Sequence, residues 1–237
     1  MTGMLISVMN LEEATLAIQY SPDILDMKNP IQGALGALSV PEVAEIVAFV
    51  NRRTVTSATI GDLPMDPDHL VPAVEAMAES GVDIVKVGFF QQGNLISCIK
   101  ALSHFKPRGV HIVAVMMADQ LQDLSLIRPM SEAGFLGVML DTAQKTGQSL
   151  TDYMSLLDIA EFVRVSGAVG LKTGLAGSLQ SAHVPVLTSL MPDYLGFRGA
   201  VCAQGSRTIG LDKFKIDALS ELLQKCNNSM INQALSG

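Results

Sequence analysis

The stretch AESGVDIVKVGFF, residues 78–90, decides the fold. A helix-like segment reaches its end at Ala78-Glu79-Ser80, Gly81 punctuates it, and an apolar run follows at once. Glycine after the last helical residue is the usual C-terminal stop, because it accepts the left-handed conformation without steric cost. The run DIVKVGF (83–89) is apolar at nearly every position rather than at alternate ones. That pattern belongs to a parallel strand covered on both faces. SEAGFLGVML (131–140) repeats the arrangement.

Outward from residues 78–90, eight such runs recur: 4–9, 23–28, 54–60, 83–89, 111–117, 137–143, 168–176 and 194–200. Segments with helical periodicity lie between them, among them 11–20, 40–52, 70–81, 94–105, 124–134 and 150–167. Strand–helix alternation implies parallel βαβ units. Eight of them in 237 residues predict an α/β fold, a single (β/α)8 TIM barrel, which typically takes about 250 residues. A doubly wound open sheet is the alternative, but the GxGxxG turn it often carries is absent. No linker or charge block divides the chain, so one domain is expected over 1–237, with a final helix at 212–226 and a loose, flexible tail over 229–237.

Hydrophobic residues make up 49% of the chain and charged ones 16%, enough for a large core. Mean hydropathy is +0.36, yet no apolar run approaches the roughly 18 residues that cross a bilayer. No membrane association is expected, and a cytoplasmic location is the default, since Glu12 and Glu13 follow the first apolar run and no basic leader precedes it. A net charge of −7 without a basic stripe argues against nucleic-acid binding. Cys98, Cys202 and Cys226 are too widely spaced for a zinc site or a disulfide framework. The four histidines show no ligand spacing, so no metal site is expected. Neither a GxSxG elbow nor a Ser–His–Asp spacing supports serine hydrolysis.

Lysines then draw the eye. Lys28 closes the second run and Lys86 sits inside the fourth, where a buried ammonium is expensive and its pKa open to large shifts. Such lysines suit carbonyl chemistry. Active sites of these barrels sit at the C-terminal strand ends. Asp26 and Lys28 are two apart and share a face. Ile84, Lys86 and Gly88 share another, and the small Gly88 would leave room for a ligand. Asp141 ends the sixth run, with Lys145 four residues on; Lys172, in the seventh, is a further candidate. The expected couples are therefore Asp26 with Lys28 and Asp141 with Lys145. An ordinary ion pair or a loop lysine is the plainer reading of each. Ser57, Thr59 and Asp62 are also placed to line the mouth. Phosphate sites of such barrels often follow strands seven and eight. That selects LAGS (175–178) and FRGA (197–200), with Gly177, Ser178, Arg198, Gly199 and Arg207 as candidate phosphate ligands.

Together DMKNP (26–30), GALGA (33–37), SATIGDLP (57–64), DIVKVG (83–88), MLDTA with Lys145 (139–145), GLKTGLAGS (170–178) and GFRGAVC with Arg207 (196–207) resemble one family, the (5-formylfuran-3-yl)methyl phosphate synthases. The likeness runs in order through nearly the whole chain. FFQQGN (89–94) and VMMADQ (115–120) depart from the family pattern. The resemblance implies a (β/α)8 barrel that condenses two molecules of glyceraldehyde 3-phosphate to 4-(hydroxymethyl)-2-furancarboxaldehyde phosphate, a precursor of methanofuran-type one-carbon carriers. It implies Lys28 as the Schiff-base lysine, Lys86 and Lys145 as proton-transfer lysines, and Asp26 and Asp141 as their acidic partners. No cofactor is required, and the partner is a small phosphorylated aldehyde. Another Schiff-base triose-phosphate aldolase on the same barrel, or a non-catalytic binding protein, is the alternative. The sequence does not fix the oligomeric state; a homo-oligomer is compatible with it.

Overall fold

The computed structural model describes residues 1–120, 123–144 and 146–236. Eight strands, β1 (Gly3–Val8), β2 (Ile24–Met27), β3 (Val55–Thr59), β4 (Ile84–Phe89), β5 (His111–Met117), β6 (Gly137–Asp141), β7 (Lys172–Leu175) and β8 (Tyr194–Phe197), are all parallel. They close in sequence order, with β8 hydrogen-bonded to β1. The expected (β/α)8 barrel is what the chain forms.

Helices cover the outside: α1 (Leu11–Ala17), α2 (Val40–Val50), α3 (Pro67–Glu79), α4 (Leu95–Leu102), α5 (Ile127–Glu132), α6 (Leu150–Tyr153), α7 (Leu156–Ala168), α8 (Val184–Thr188) and α9 (Lys213–Ser236). The strands' near-continuous apolarity divides between two cores. Val85 and Val87 face the helices, in a shell with Leu25, Met27, Val138 and Leu140. Ile84 faces inward with Leu5, Val113, Val115, Met139 and Tyr194. Lys86 shares the inward parity of Ile84, as the alternation of side chains along a strand requires.

Three boundaries differ from the sequence pattern. The helical stretch 150–167 breaks at Met154, whose backbone is extended, because the Ser155 side chain caps a new helix by accepting from the Asp158 N–H. Strand β7 starts at Lys172 rather than 168, since α7 runs to Ala168 and Gly170, at φ 78°, turns the chain first. Residues 227–236, polar enough to suggest a loose tail, continue α9. Asn227 there accepts from the Thr2 N–H at 3.0 Å and donates to the Thr2 carbonyl at 2.9 Å, tying the chain's two ends together.

One device repeats along the N-terminal rim. The residue just before β2, β4 and β8 is an aspartate, and its carboxylate takes a backbone N–H of the preceding strand: Asp23 from Met4 at 2.7 Å, Asp83 from Thr56 at 2.8 Å and Asp193 from Thr173 at 2.7 Å. Thr56 and Thr173 add their hydroxyls to the same carboxylates. Before β6 the equivalent residue is Leu136, which offers no carboxylate and bonds through its backbone, to the Ile112 carbonyl and the Lys172 N–H. These bonds pin strands in pairs at the end of the barrel away from the C-terminal mouth.

Candidate active site

At the C-terminal mouth a cavity of about 280 Å³ is walled by Lys28, Lys86 and Asp141 on one side and by Gly177, Ser178, Arg198, Gly199 and Arg207 on the other. Leu5, Ser7, Met139, Ala176 and Gly196 supply its inner wall. The two groups picked out separately in the sequence, lysines with acids and the loops after the seventh and eighth runs, thus meet in one space. Lys145 lies outside the described residues.

The charge pairing is not the one that sequence proximity suggests. Lys86 Nζ lies 3.0 Å from Asp26 Oδ1, and Lys28 Nζ lies 3.9 Å from Asp141 Oδ2. The hydrogen-bonded partner of Asp26 is Lys86 of β4, while the charge of Lys28, one residue beyond β2, also acts on Asp26 and Lys28 pairs across the barrel with the end of β6. Asp26 does not line the cavity. It lies beneath, fully buried, and its two oxygens accept from Ser7 Oγ at 2.9 Å, Ser57 Oγ at 2.7 Å and Lys86 Nζ. Burial alone would push this carboxyl up, but Lys86, Lys28 and the Ser57 hydroxyl outweigh it and hold Asp26 below the usual carboxylate range. Lys86 is 2% exposed, among the largest side chains so buried, and the ionised carboxylate under it is what makes that position tolerable.

Room for a ligand does not come from Gly88. A methyl group there would meet Phe90 at 2.7 Å and Leu35 at 2.8 Å, so those side chains already fill the space. The small residues that open the cavity include Ala176 and Gly177, just after β7, Gly196 on β8 and Gly199 in the loop after it. Gly177, at φ 100°, presses against Thr142, where a Cβ would come within 2.9 Å of the Thr142 methyl. Ser178 follows at φ 50°, so two successive residues in the left-handed region line the cavity. The N–H groups of Gly177, Ser178 and Gly199 donate to no protein acceptor among the described residues. Such concavities of backbone donors favour anions.

Arg198 requires a correction. All five of its N–H groups are engaged by protein: Nε with the Arg207 carbonyl, Nη1 with the Ser7 carbonyl and Glu13, and Nη2 with Glu13 and the Ile209 carbonyl. It has no donor left for a phosphate. It instead fastens the loop after β8 to β1 and α1. Arg207, carried by that loop, is half-buried and reaches over the mouth, donating from Nη2 to the Gly33 carbonyl at 2.6 Å. Burial draws its guanidinium down, with the Asp141 and Asp62 carboxylates opposing.

Lys172 stands apart from the site. It opens β7, on the opposite rim, and pairs with Asp193 at 2.8 Å. Ser57, Thr59 and Asp62 do not line the cavity either. Ser57 binds Asp26, Thr59 Oγ1 donates to the Gly36 carbonyl at 3.0 Å, and Asp62 accepts from the N–H groups of Ala34 and Leu35. Cys98 and Cys202 are buried free thiols. Burial pushes Cys202 up to about 11, which leaves it unreactive.

Two inward residues escape the sequence reading. Ser7 carries no motif, and only its parity with Leu5 on β1 hints at an interior position. Tyr194 stands within the barrel core, where burial, with Asp26 and Asp193 nearby, pushes its phenol well up and keeps it neutral.

A closed parallel barrel with buried lysines and carboxylates lining a cavity at the C-terminal mouth is the architecture of a (β/α)8-barrel enzyme. Solved barrels share the architecture: phosphoribosyl anthranilate isomerase from Thermus thermophilus superposes with a TM-score of 0.67 at 15% identity, covering 95% of this chain and 99% of that one. Sequence comparison narrows the class. The family profile described as 4-HFC-P synthase matches residues 4–220, and the chain belongs to that family. The (5-formylfuran-3-yl)methyl phosphate synthase of Methanocaldococcus jannaschii is 34% identical, over 92% of this chain and 98% of its own length. That of Methanobrevibacter smithii is 33% identical, over 95% and 99%.

Proposed function

We propose that this enzyme condenses two molecules of glyceraldehyde 3-phosphate through an imine on Lys28, giving 4-(hydroxymethyl)-2-furancarboxaldehyde phosphate. The observation that carries the reading is the Lys28–Asp141 pair at 3.9 Å, set in the same cavity as the backbone cradle of Gly177, Ser178 and Gly199. Membership of the 4-HFC-P synthase family and the similarity to (5-formylfuran-3-yl)methyl phosphate synthases support it.

The steps balance as follows. Lys28 Nζ, deprotonated, adds to the aldehyde carbon; the carbonyl oxygen leaves as water, and a C=N bond replaces C=O. The protonated imine withdraws electrons, so a proton leaves the adjacent carbon and its electron pair forms the enamine. The enamine carbon bonds to the aldehyde carbon of the second triose, whose oxygen takes a proton. Ring closure follows, with release of the lysine. Over the whole reaction two waters and one inorganic phosphate are lost, and one phosphate is kept. No oxidant is needed.

In this reading Asp141 takes and returns the proton of Lys28. Lys86, held by Asp26, lies under the imine and handles protons at the substrate oxygens, a role that family likeness gives to Lys145 as well. Gly177, Ser178 and Gly199 hold a phosphate by their N–H groups and Arg207 adds its charge. The test is incubation with glyceraldehyde 3-phosphate and mass spectrometry of product and protein. A furan aldehyde phosphate is the expected product. A linear aldol product, or dihydroxyacetone phosphate alone, would replace this reading with that of a simpler Schiff-base aldolase or isomerase.

A further inference from the structure

Two carboxylates outside the cavity hold the backbone on either side of the Lys28–Asp141 pair in the same way. Asp62, after β3, accepts from two successive N–H groups, those of Ala34 and Leu35, at 2.9 Å each. These residues belong to the loop that leaves Lys28, and that loop closes on itself through the Asn29 N–H to the Gly36 carbonyl at 2.7 Å. Asp119, after β5, accepts from the two successive N–H groups of Ala143 and Gln144, at 2.7 Å each. These residues lie two and three positions after Asp141. The neighbouring Ala118 N–H also bonds the Asp141 carbonyl at 2.7 Å. Each member of the pair is thus followed by a loop gripped by a carboxylate from a neighbouring strand's end, Asp62 from that of β3, after β2, and Asp119 from that of β5, before β6.

The fit on the Asp62 side is close. A Cβ on Gly33 would lie 2.1 Å from Asp62 Oδ2, so the carboxylate occupies the space a side chain would need. Gly33 also has φ 100°, and its carbonyl receives Arg207. The chain uses glycine where the grip requires it.

We propose that Asp62 and Asp119 are positioning residues, which set the approach of Lys28 to Asp141 by fixing the loops behind both. Neither lines the cavity, so they act through backbone and touch no substrate. The inference deepens the proposed function, and its catalytic arm rests on that reading; its labelling arm does not.

A matched control exists in the molecule. Asp83 makes a two-bond grip of the same kind, on the Thr56 N–H at 2.8 Å and Thr56 Oγ1 at 2.6 Å, at the opposite rim. The variants are Asp62→Asn, Asp119→Asn and Asp83→Asn, compared by Tm, kcat, KM and site-resolved acetylation of Lys28 by limiting acetic anhydride, read by mass spectrometry against the exposed Lys213. In the two mouth variants Lys28 acetylation is expected to rise severalfold. Their kcat should fall by up to about 100-fold with KM little changed, the cost of a misplacement near 1 Å. Asp83→Asn should lower Tm as much and leave acetylation and kcat at wild-type values. Should an Asn variant not fold, Asp62→Glu or Asp119→Glu, which keeps the charge but lengthens the grip, carries the same test. Acetylation and kcat that track Asp83→Asn in both mouth variants overturn the positioning role. A rise in acetylation in an enzyme whose wild type makes no furan leaves the positioning role standing and overturns the reaction.

Discussion

Lys86 Nζ and Asp26 Oδ1 lie 3.0 Å apart, although 60 residues separate them in the chain. Asp26 has a lysine two residues away, Lys28, and bonds instead to the one on β4. That choice divides the site. The Lys86–Asp26 pair is buried and held by Ser7 and Ser57; the Lys28–Asp141 pair, looser, faces the cavity. A firmly held pair beneath and a looser one facing the cavity suit the proposed imine chemistry, in which Lys28 exchanges its proton with Asp141.

Lys28→Ala should abolish turnover and remove the adduct that borohydride traps in the presence of glyceraldehyde 3-phosphate. Peptide mass spectrometry locates the adduct. Its appearance on Lys86 in the wild type would reverse the assignment of the two lysines.

Asp26→Asn should destabilise the fold, since it leaves the Lys86 ammonium buried without a counter-charge; breaking such a pair typically costs about 3–5 kcal/mol. The pH dependence has a definite sign. The folded Asp26 carboxyl titrates below its ordinary 3.8, so its contribution is full above that value and is lost as pH falls below it. The stability gap between wild type and Asp26→Asn, from urea unfolding, should therefore narrow on acidification below 3.8. A gap that stays constant there would contradict the pairing.

Arg198→Met should strand Glu13, which is buried against it, and cost about 3–5 kcal/mol for the same reason. Adding Glu13→Gln should recover part of the loss, so that the double variant is more stable than the two single costs summed. Denaturant midpoints close the cycle. Strict additivity would mean that the two side chains do not support one another.

Arg207→Met should raise KM for the phosphorylated triose by about 10- to 100-fold, the range for losing one charge-assisted hydrogen bond worth about 1.5–3 kcal/mol. Stability should change little, because among the described residues the Arg207 side chain hydrogen-bonds to protein only at the Gly33 carbonyl. A KM equal to that of the wild type would remove Arg207 from the phosphate site.

The strands were legible because burial on both faces writes itself into composition: HIVAVMM and GVML need no partner to be read. The inward turn of Lys86 followed from parity with Ile84. Who meets whom inside the barrel was not legible. It depends on strand tilt and register, which set Asp26 opposite Ser57 in the β2–β3 ladder and bring Lys86 over both. Proximity in sequence pointed Asp26 at Lys28 instead. Arg198 misled for a similar reason. Its position after β8 suits a phosphate ligand, and only the coordinates show Glu13 from α1 and three carbonyls consuming its donors. Gly88 looked like an opening because a glycine is silent about what fills the space beside it. Asp62 read as a residue lining the mouth, whereas it grips Ala34 and Leu35 outside the cavity, and Asp119 gave no signal as a grip on Ala143 and Gln144.

The aspartates that precede β2, β4 and β8 have a consequence for how the enzyme can change. They rivet neighbouring strands at one rim, and every group assigned to chemistry stands at the other. Cohesion and reactivity are therefore drafted on separate sheets. Rewriting the loops after β7 and β8 to accept a differently shaped aldehyde leaves Asp23, Asp83 and Asp193 untouched. A barrel so fastened can trade one substrate for another while its lysines keep their posts.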